Sequence, residues 1–537
     1  MAVEPRYATG RAREAVVRRR NLNSATGRVR AAVVGGGASR YTSKASLRRD
    51  MNSVITISER MSDKVSNIDD ADHKEIIRER KIQEECGVFG VSLNDDEAVG
   101  LTYNALLALQ HRGQESAGIA VLSGRSIRYI KDQGLVKDIF NPDKLDILPS
   151  SAMSIGHVRY SKERERGREN AQPMVIEFLR GRLAIACNCS LINSVELLIE
   201  LEAQGCDLEA ATDAEVIATM IAMEALEYDE IEDAVVSAVQ KLKGAFSFVA
   251  LSSQGKLIAV RDGWGFKPLC FGEGPLGIAV ASESSGLDST GFKLIRDVAP
   301  GEVLVIDHMQ NVESRQVLSA ERKGVCMFEY VYFARPDSII DELSVYQARF
   351  KAGQMLAKEH PVDADVVCGV PDSGLEAAQG YSAGSGLPYV TGFLKNRYIG
   401  RSFIYPSVKQ RAASVRVKLN PLKANLNGKK VVVVDDSIVR GTTLGTTIKG
   451  LRDAGAVEIH LRIACPPFKN VCYFGTDVED AKELIANQMS IEEYRKQIGA
   501  DSLRYISLEN LLEACEGCAL DFCVGCFNDG GYPIKMT

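Results

Sequence analysis

The sequence of 537 residues contains no apolar run that approaches the length of a membrane-spanning helix, which needs about 20 consecutive apolar residues. It also lacks an excess of positive charge: the formal net charge is -6 and the pI is about 5.8. Nucleic-acid-binding proteins usually carry a basic surface, so this composition argues against that class. With 25% charged and 45% hydrophobic residues, the chain has an ordinary globular composition and length for roughly two to four domains.

The thirteen cysteines do not have the spacing of a disulfide framework. They are spread unevenly, and four of them lie between Cys515 and Cys526. Such clustering in a chain of this size favours metal ligation in a reducing compartment.

Residues 1–85 differ in composition from the remainder. Eleven arginines precede Met51 against three acidic residues, with little apolar periodicity. Two interpretations fit: an organellar transit peptide, or a start site assigned too far upstream, with Met51 or Met61 as the true beginning. We expect residues 1–85 to be a disordered leader that is removed or not part of the protein.

The segment Val431–Thr443 combines a buried strand with polar residues suited to a ligand. Four consecutive valines predict a strand buried on both faces of a parallel sheet. The start of the following helix offers N–H groups to a phosphate, whereas the two acids suit sugar hydroxyls or a divalent cation. A simple helix cap is the alternative. The candidate ligands are Asp435, Asp436, Ser437, Arg440, Gly441, Thr442 and Thr443.

This segment resembles the phosphoribosylpyrophosphate (PRPP) loop of the type I phosphoribosyltransferases. The resemblance implies that the paired acids contact the ribose hydroxyls and that the small residues wrap the 5-phosphate. It also implies that Ser373, in Val370–Gly374, helps to bind Mg²⁺ beside Asp435 and Asp436. Lys395–Arg401 resembles the flexible loop that closes over PRPP, which makes Lys395 a further PRPP ligand.

The second half alternates between strand and helix patterns. Predicted strands at 364–370, 431–434 and 458–463 are separated by predicted helices at 375–382 and 446–454. This order favours a doubly wound parallel sheet with ligands at the carboxyl ends of the strands.

Two motifs near the start of the apolar sequence, Glu84–Val91 and Leu109–Ile119, resemble the class II glutamine amidotransferase domain. Such domains are N-terminal-nucleophile hydrolases with an αββα sandwich. The resemblance implies that Cys86 is the nucleophile and uses its own α-amine as the base, which requires removal of every preceding residue. A buried structural cysteine is the alternative.

The same resemblance assigns the glutamine pocket. Arg159 would pair with the α-carboxylate, Asp213 would receive the ammonium, Arg112 would lie near Cys86, and Asn188 would help to form the oxyanion hole. The alternation of helices and strands from 184 to 307 also suits a layered sandwich.

Two stretches depart from the family pattern at this pocket. Cys187-Asn188-Cys189-Ser190 stands where the family has His-Asn-Gly-Asn, and the charged run Lys162–Arg166 follows Tyr160-Ser161. A glycine permits conformations that are costly for cysteine, so these changes leave efficient use of glutamine an open question.

Four cysteines in three separate segments match a [4Fe–4S] ligand set found in one branch of the glutamine PRPP amidotransferases: Cys326, Cys472, Cys523 and Cys526. A local zinc site built from Cys515, Cys518, Cys523 and Cys526 is the rival interpretation.

The chain from Cys86 to Thr537 resembles the glutamine PRPP amidotransferase family. We expect an α/β two-domain enzyme, with a glutamine amidotransferase domain at 86–318 and a phosphoribosyltransferase domain at 319–537. The resemblance implies synthesis of 5-phosphoribosylamine from PRPP and glutamine in purine biosynthesis, with Mg²⁺, a [4Fe–4S] cluster, purine-nucleotide feedback and a homotetramer. It implies a cytoplasmic location, or an organellar one if the leader is a transit peptide. The alternatives are an ammonia-dependent phosphoribosyltransferase with a degenerate glutamine domain, and a PRPP-sensing regulator.

Overall fold

The computed structural model describes residues 86–160, 167–208, 210, 212–319, 324–396, 419–442, 444–475, 480–528 and 531–534. The predicted leader, the charged run Lys162–Arg166, the flexible-loop residues from Arg397 to Arg401, and Thr443 lie outside these residues. None of the helices within the described residues is long and apolar enough to cross a membrane.

The first half of the described chain forms two antiparallel sheets. The strands are β1 (Gly87–Leu93), β2 (Ser116–Ser123), β3 (Ser126–Gln133), β4 (Met153–Arg159), β5 (Met174–Phe178), β6 (Gly181–Leu191), β7 (Gly244–Ser252), β8 (Lys256–Arg261), β9 (Cys270–Gly274), β10 (Gly277–Ala281), β11 (Lys293–Asp297), β12 (Glu302–Asp307) and β13 (Val312–Gln316). One sheet has the order β11-β9-β10-β1-β4-β2-β3 and the other β13-β12-β8-β7-β6-β5.

Apolar side chains pack between these two sheets. Val88 and Ile155 of the first sheet meet Val249 and Leu257 of the second in one fully buried cluster. The helices are α1 (Ala98–Ala108), α2 (Val136–Ile139), α3 (Pro142–Leu145), α4 (Ser194–Ala203), α5 (Asp213–Glu224), α6 (Ile231–Val239) and α7 (Ser284–Asp288). Residues of α1 share a core cluster with the first sheet, and residues of α4, α5 and α6 share another with the second. The layers therefore run helix, sheet, sheet, helix, as predicted.

The second half contains a four-stranded parallel sheet in the order β17-β20-β21-β22. The strands of this half are β14 (Gly324–Cys326), β15 (Ile339–Ile340), β16 (Leu343–Ser344), β17 (Val366–Gly369), β18 (Phe393–Lys395), β19 (Leu419–Pro421), β20 (Lys430–Asp435), β21 (Glu458–Ile463), β22 (Ser502–Tyr505) and β23 (Asp521–Cys523).

Its helices are α8 (Val345–Glu359), α9 (Leu375–Ser385), α10 (Lys423–Leu426), α11 (Leu444–Asp453), α12 (Ile485–Gln488), α13 (Ile491–Ile498) and α14 (Leu508–Ala514), with a π-helix at Glu329–Phe333 and a 3₁₀ turn at Ala481–Glu483. Residues of α8, α9, α11 and α13 share one core cluster with the parallel sheet. This packing confirms the predicted doubly wound architecture.

The run of valines behaves as predicted. Val431 to Val434 are fully buried, and β20 has parallel neighbours on both sides, β17 and β21. A strand in this position has no face in water, which is why its sequence does not alternate.

One stretch differs from what its sequence indicates. The polar sequence of residues 315–323 carries no strand or helix signal, yet Arg315 and Gln316 belong to β13, which pairs with β12 at the edge of its sheet. Most side chains of β13 are exposed, so its sequence is polar and lacks the alternation that marks a half-buried strand.

Candidate active sites

Cys86 and Asn188 meet between the two antiparallel sheets. Cys86 directly precedes β1 and is fully buried, and Asn188 lies on β6 of the facing sheet. The backbone nitrogen of Cys86 donates a hydrogen bond to Oδ1 of Asn188 at 3.2 Å. In a chain cleaved before Cys86 that nitrogen would be the α-amine, so the nucleophile, its base and the predicted oxyanion donor lie at one point.

The amide nitrogen of Asn188 is suited to stabilise an oxyanion. Within the residues that the structure describes, Nδ2 of Asn188 is buried and has no hydrogen-bond acceptor. A buried donor without an acceptor costs free energy, so its retention here indicates a ligand group that accepts from it.

The cysteines on either side of Asn188 point away from it. Because side chains alternate along a strand, Cys187 and Cys189 face the helix layer, where they share a core cluster with Leu197 and Val216. The structure pairs their two sulfurs as a disulfide, with 5.6 Å between the Cα atoms.

Replacement of the family glycine by Cys189 leaves the strand regular. Cys189 pairs with Phe246 in the antiparallel ladder and has no positive φ. The N–H of Cys187 bonds to Oε1 of Gln172 at 2.7 Å, and the N–H of Leu191 bonds to Oδ2 of Asp213 at 2.7 Å. Alternate residues of a strand direct their N–H groups to the same edge. The N–H of Cys189 therefore points to the edge where the side chains of Gln172 and Asp213 lie, between those two side chains. A backbone N–H at this position is therefore available next to Asn188 although the residue is cysteine and not glycine.

His157 supports this strand from the opposite sheet. Its Nε2 donates to the carbonyl of Cys187 at 3.1 Å. Burial lowers the pKa of His157 to about 3, helped by Arg159 and opposed by the bond to Cys187. The imidazole is therefore neutral near pH 7, with the proton on Nε2.

The predicted glutamine ligands Arg159 and Asp213 are both buried at the ends of their elements. Arg159 is the last residue of β4, and Gly113 lies against it so closely that a Cβ at Gly113 would be 2.4 Å from the Arg159 backbone. Asp213 begins α5. The glycine is needed here because the two backbones could not approach otherwise.

Arg112 is clamped between two carboxylates that the sequence did not indicate as site residues. Its Nε bonds to Glu283, and its Nη2 bonds to Oε2 of Glu329 at 2.6 Å. All three side chains are buried. A Cβ added to Gly87 would lie 3.4 Å from Cβ of Arg112, so this cluster lies against the residue that follows Cys86.

Glu283 collects further donors. It accepts from Nε2 of His111 at 2.7 Å and from Oγ of Ser338 at 2.6 Å. Burial alone would raise the pKa of Glu283, but Arg112 and His111 hold the pKa well below its usual range. The carboxylate therefore stays charged and keeps Arg112 in place.

The second site lies at the carboxyl ends of β17 and β20. Ser373 donates to Oδ1 of Asp436 at 2.7 Å, and Ser437 donates to Oδ2 at 2.6 Å. Asp435 accepts from the backbone N–H of Asp436 at 3.0 Å. The predicted serine and both predicted acids are thus brought together, at the edge where parallel sheets place ligands.

The remaining predicted PRPP ligands surround these acids. Nζ of Lys395 contacts the carboxylate of Asp372, and Nε of Arg440 donates to Glu483 at 2.7 Å. Gly441 has a positive φ of 68°, and its carbonyl accepts from the Tyr494 hydroxyl at 2.8 Å.

A side chain at Gly441 would collide with that tyrosine ring, so glycine is required there. Thr442 is exposed at the start of α11.

Comparisons with known proteins agree with the two halves of the fold. A family model of the glutamine amidotransferase domain matches residues 157–289, and one of the phosphoribosyl transferase domain matches residues 341–493. The amidophosphoribosyltransferase of Methanothermobacter thermautotrophicus is 47% identical over 470 residues, which cover 86% of this chain and 97% of the relative. The chain belongs to the amidophosphoribosyltransferase family.

Other members of the family extend this result. The chloroplastic amidophosphoribosyltransferase 1 of Arabidopsis thaliana is 44% identical, over 86% of this chain and 80% of the relative. Two solved structures, each 40% identical over 84% of this chain, superpose well. One is described as the allosteric regulatory enzyme of purine biosynthesis (TM-score 0.78, 97% of that chain). The other is the glutamine PRPP amidotransferase of B. subtilis with ADP and GMP (TM-score 0.77, 98% of that chain).

The acid pair of the family's PRPP loop has the electrostatics of a cation site. Burial raises the pKa of Asp435 well above its usual value, and the neighbouring charge of Asp436 raises it further. Two adjacent carboxylates with a serine hydroxyl are a ligand set that Mg²⁺ accepts when substrate oxygens complete its shell. Asp435, Asp436 and Ser373 therefore fit a magnesium ion shared with a pyrophosphate.

Four thiols converge at the junction of the two halves. Cys326 on β14 lies directly opposite Cys523 on β23 in a parallel pair. Burial, and after it the thiols of Cys472, Cys326 and Cys523, raise the pKa of Cys526. These are the four cysteines of the predicted iron–sulfur set, brought together from three segments.

Cys515 and Cys518 take other contacts, which weighs against the local zinc interpretation. Cys515 lies 3.8 Å from the sulfur of Met327, and Cys518 lies 3.6 Å from the hydroxyl of Tyr330. Among the described residues, no group of three or more His, Cys, Asp or Glu side chains is arranged so that it could hold one metal ion. Four thiols that converge from three segments are a ligand set of the kind that holds a [4Fe–4S] cluster.

Proposed function

We propose that this protein makes 5-phosphoribosylamine, glutamate and pyrophosphate from PRPP, glutamine and water, at the start of purine biosynthesis. The observation that carries the proposal is the contact between the Cys86 nitrogen and Asn188, 3.2 Å apart, with the amide donor of Asn188 left for a ligand. The acid pair Asp435 and Asp436 marks the site of the second half-reaction, in which ammonia displaces pyrophosphate from PRPP.

At the glutamine site, cleavage before Cys86 frees its α-amine. The amine takes the proton of the Cys86 thiol, and the thiolate attacks the side-chain carbonyl of glutamine. Nδ2 of Asn188 and the N–H of Cys189 stabilise the tetrahedral oxyanion. The α-ammonium then protonates the amide nitrogen of the tetrahedral intermediate, the C–N bond breaks and ammonia leaves. Water hydrolyses the remaining thioester to glutamate and frees the Cys86 thiol.

Recognition of glutamine uses the two ends of the amino acid. Arg159 holds the α-carboxylate through its guanidinium fork, and Asp213 holds the α-ammonium. Asp213 is already oriented by the N–H of Leu191, so its carboxylate is placed by the same strand that carries Asn188.

At the PRPP site, the residues of the loop orient the sugar. Asp435 and Asp436 receive the ribose hydroxyls, and backbone N–H groups from Ser437 to Thr442 surround the 5-phosphate. A bound Mg²⁺ supplies charge neutralisation for the pyrophosphate leaving group. Ammonia attacks C1 of the ribose while the C1–O bond to pyrophosphate breaks, and Lys395 neutralises charge at the edge of the site.

We also propose that Cys326, Cys472, Cys523 and Cys526 ligate a [4Fe–4S] cluster. Cys326 precedes the π-helix that carries Glu329, and the other three cysteines lie in the last third of the chain. A cluster here would cross-link these segments. Its support is the convergence of the four thiols and the absence of Cys515 and Cys518 from that group.

A second candidate function is that of an ammonia-dependent phosphoribosyltransferase with an inactive glutamine site. The disulfide between Cys187 and Cys189 favours it, because its two cysteines lie on either side of Asn188, where the sequence departs from the family pattern. The regular strand and the preserved N–H of Cys189 argue against it.

One assay separates these functions. Phosphoribosylamine formation is measured with glutamine and with an ammonium salt, on protein whose N-terminus has been sequenced and whose iron has been determined. We expect Cys86 at the N-terminus and turnover with both donors. Turnover with ammonium alone supports the second candidate, and no turnover with either donor overturns both and revives a PRPP-sensing regulator.

We further propose that purine nucleotides inhibit the enzyme, since the B. subtilis structure holds ADP and GMP. We also propose a homotetramer, which the resemblance to the family implies. Inhibition by these nucleotides and sedimentation velocity test both points. For the location we propose the cytoplasm. The chloroplastic relatives support the organellar alternative, and the N-terminal sequence of the protein from cells, with fractionation, separates the two.

A further inference from the structure

Arg349 lies between the π-helix that carries Glu329 and the residues around Asp436. It is buried on α8, and its Nε donates to the carbonyl of Tyr330 at 2.7 Å while Nη2 donates to the carbonyl of Ala334 at 2.8 Å. Carbonyls at the end of so short a helix have no partner within it. Arg349 therefore holds the π-helix Glu329–Phe333 through one carbonyl within it, that of Tyr330, and one directly after it, that of Ala334.

That π-helix begins with the carboxylate that holds Arg112. Glu329 accepts from Nη2 of Arg112 at 2.6 Å and from Nη1 at 3.3 Å, in a bidentate pair. Both side chains are about 1% exposed, so water does not screen the pair. A shift of the π-helix would therefore move Arg112, which adjoins the residue after Cys86.

The remaining guanidinium nitrogen of Arg349, Nη1, faces the PRPP side, by which we mean the residues around Ser373, Glu376 and Asp436. Nη1 lies 3.9 Å from Oε2 of Glu376, an atom that is buried and lacks a hydrogen-bond donor among the described residues. Arg349, Ser373 and Asp436 line one cavity of about 10 Å³, which is room for a single water molecule.

Carboxylates on both sides act on Arg349. Burial lowers the pKa of its guanidinium, and four carboxylates oppose that shift: Glu376, Asp436, Glu283 and Glu329. Two of them belong to the PRPP side and two to the Arg112 clamp. A change of charge at Asp436 therefore alters the forces on Arg349, which in turn holds the segment carrying Glu329.

We propose that Arg349 is a positioning residue that couples the charge at the Asp436 site to the Glu329–Arg112 clamp beside Cys86. The proposal rests on the proposed function. When the acid pair carries no cation, Asp436 and Glu376 attract Arg349 towards the PRPP side. When Mg²⁺ and PRPP neutralise Asp436, Arg349 binds the Tyr330 and Ala334 carbonyls more firmly, and Arg112 is held in its working position.

The test compares the parent protein with Arg349→Lys. Lysine keeps the charge but cannot hold two carbonyls and face Glu376 at once, because it lacks the planar fork. Arg462→Lys is the matched control, since Arg462 is also buried and donates Nε to the carbonyl of His360 at 3.1 Å and Nη1 to Ser502 at 2.9 Å, within the same half of the chain.

The readouts are the KM for glutamine with and without PRPP and Mg²⁺, and the glutamate formed per phosphoribosylamine. In the parent and in Arg462→Lys, we expect PRPP to lower the KM by about fivefold or more and the two products to be equimolar. In Arg349→Lys, we expect the PRPP effect to fall below about twofold, with excess glutamate. Ammonia-dependent kcat/KM for PRPP should stay within about threefold of the parent.

Unchanged coupling in Arg349→Lys, or the same loss of coupling in Arg462→Lys, overturns the proposal. If Arg349→Lys does not fold, Glu329→Gln tests the same link, and equimolar products with an intact PRPP effect in that variant overturn it as well. A parent protein that consumes no PRPP with either nitrogen donor refutes the proposed function itself, so the two failures are distinguishable.

Discussion

The hydroxyl of Ser373 donates a hydrogen bond to Asp436, with 2.7 Å between Oγ and Oδ1. Ser373 follows β17 and Asp436 follows β20, so the bond joins the ends of two adjacent parallel strands. Ser437 holds the other oxygen of the same carboxylate at 2.6 Å. Both oxygens of Asp436 are therefore oriented by the fold itself, and a ligand meets a carboxylate that does not need to be reordered.

We predict that Ser373→Ala lowers kcat/KM for PRPP by about 10-fold to 100-fold, because a hydrogen bond to a charged group contributes about 1.5–3 kcal/mol. The loss should be equal with glutamine and with ammonium, since both routes use this site. Ser385→Ala is the control, because the Ser385 hydroxyl bonds to nearby backbone groups far from Asp436: it donates to the carbonyls of Tyr381 and Ser382 and accepts from the N–H of Leu387. A loss confined to the glutamine-dependent rate would show that Ser373 does not serve the PRPP site.

Asn188→Ala is expected to lower the glutamine-dependent kcat by about 10²-fold to 10³-fold, the usual cost of removing one oxyanion donor. The ammonia-dependent rate should be unaffected, because Asn188 lies between the antiparallel sheets and not near Asp436. Both rates are measured on the same preparation. An equal loss in both would mean that the substitution damages the fold rather than the glutamine site.

Cys189→Gly should change glutamine-dependent kcat/KM by less than about threefold. The strand is regular at Cys189 and the N–H direction does not depend on the side chain. The variant should lose at least about 0.5–1 kcal/mol of the free energy of unfolding, because glycine is more flexible when unfolded and because the buried site of the Cys189 side chain is left empty. A tenfold rise in glutamine use would show instead that the cysteine impairs the oxyanion hole.

His157 predicts a pH dependence of stability. Its pKa falls from 6.5 to about 3 on folding, so between these values the unfolded chain binds more protons. Its contribution to stability is therefore fully present above pH 6.5 and is lost as the pH falls towards 3, by up to about 1.4 kcal/mol per pH unit. His157→Gln, which can still donate to Cys187, should unfold with a shallower pH dependence in urea titrations from pH 7 to pH 4. Parallel curves for the two proteins would contradict this.

Cys472→Ser should lose bound iron and acid-labile sulfide, whereas Cys518→Ser should retain both. Cys472 belongs to the four convergent thiols, and Cys518 contacts Tyr330 instead. Iron and sulfide are determined on protein purified without oxygen. Stoichiometric zinc with no iron in the parent, lost in Cys518→Ser, would establish the local zinc site instead.

Local sequence was sufficient for the elements and motifs. The four valines specify a buried parallel strand, and the motifs around Cys86 and Asp435 identify both halves of the enzyme, because each motif is a contiguous segment with one backbone conformation. Even so, the polar edge strand β13 was missed, since an exposed strand has no apolar pattern to detect.

Sequence by itself determined that a thiol nucleophile and a PRPP loop occur in one chain, because both signals lie within a dozen or so consecutive residues. Only the tertiary structure decided what holds Arg112, since Glu283 and Glu329 are 171 and 217 residues away along the chain. The tertiary structure also decided that the N–H of Cys189 points to the same strand edge as those of Cys187 and Leu191, and that Cys326 lies opposite Cys523 in a pair of strands. Contacts between distant segments depend on how sheets and helices pack, and no local pattern records that packing.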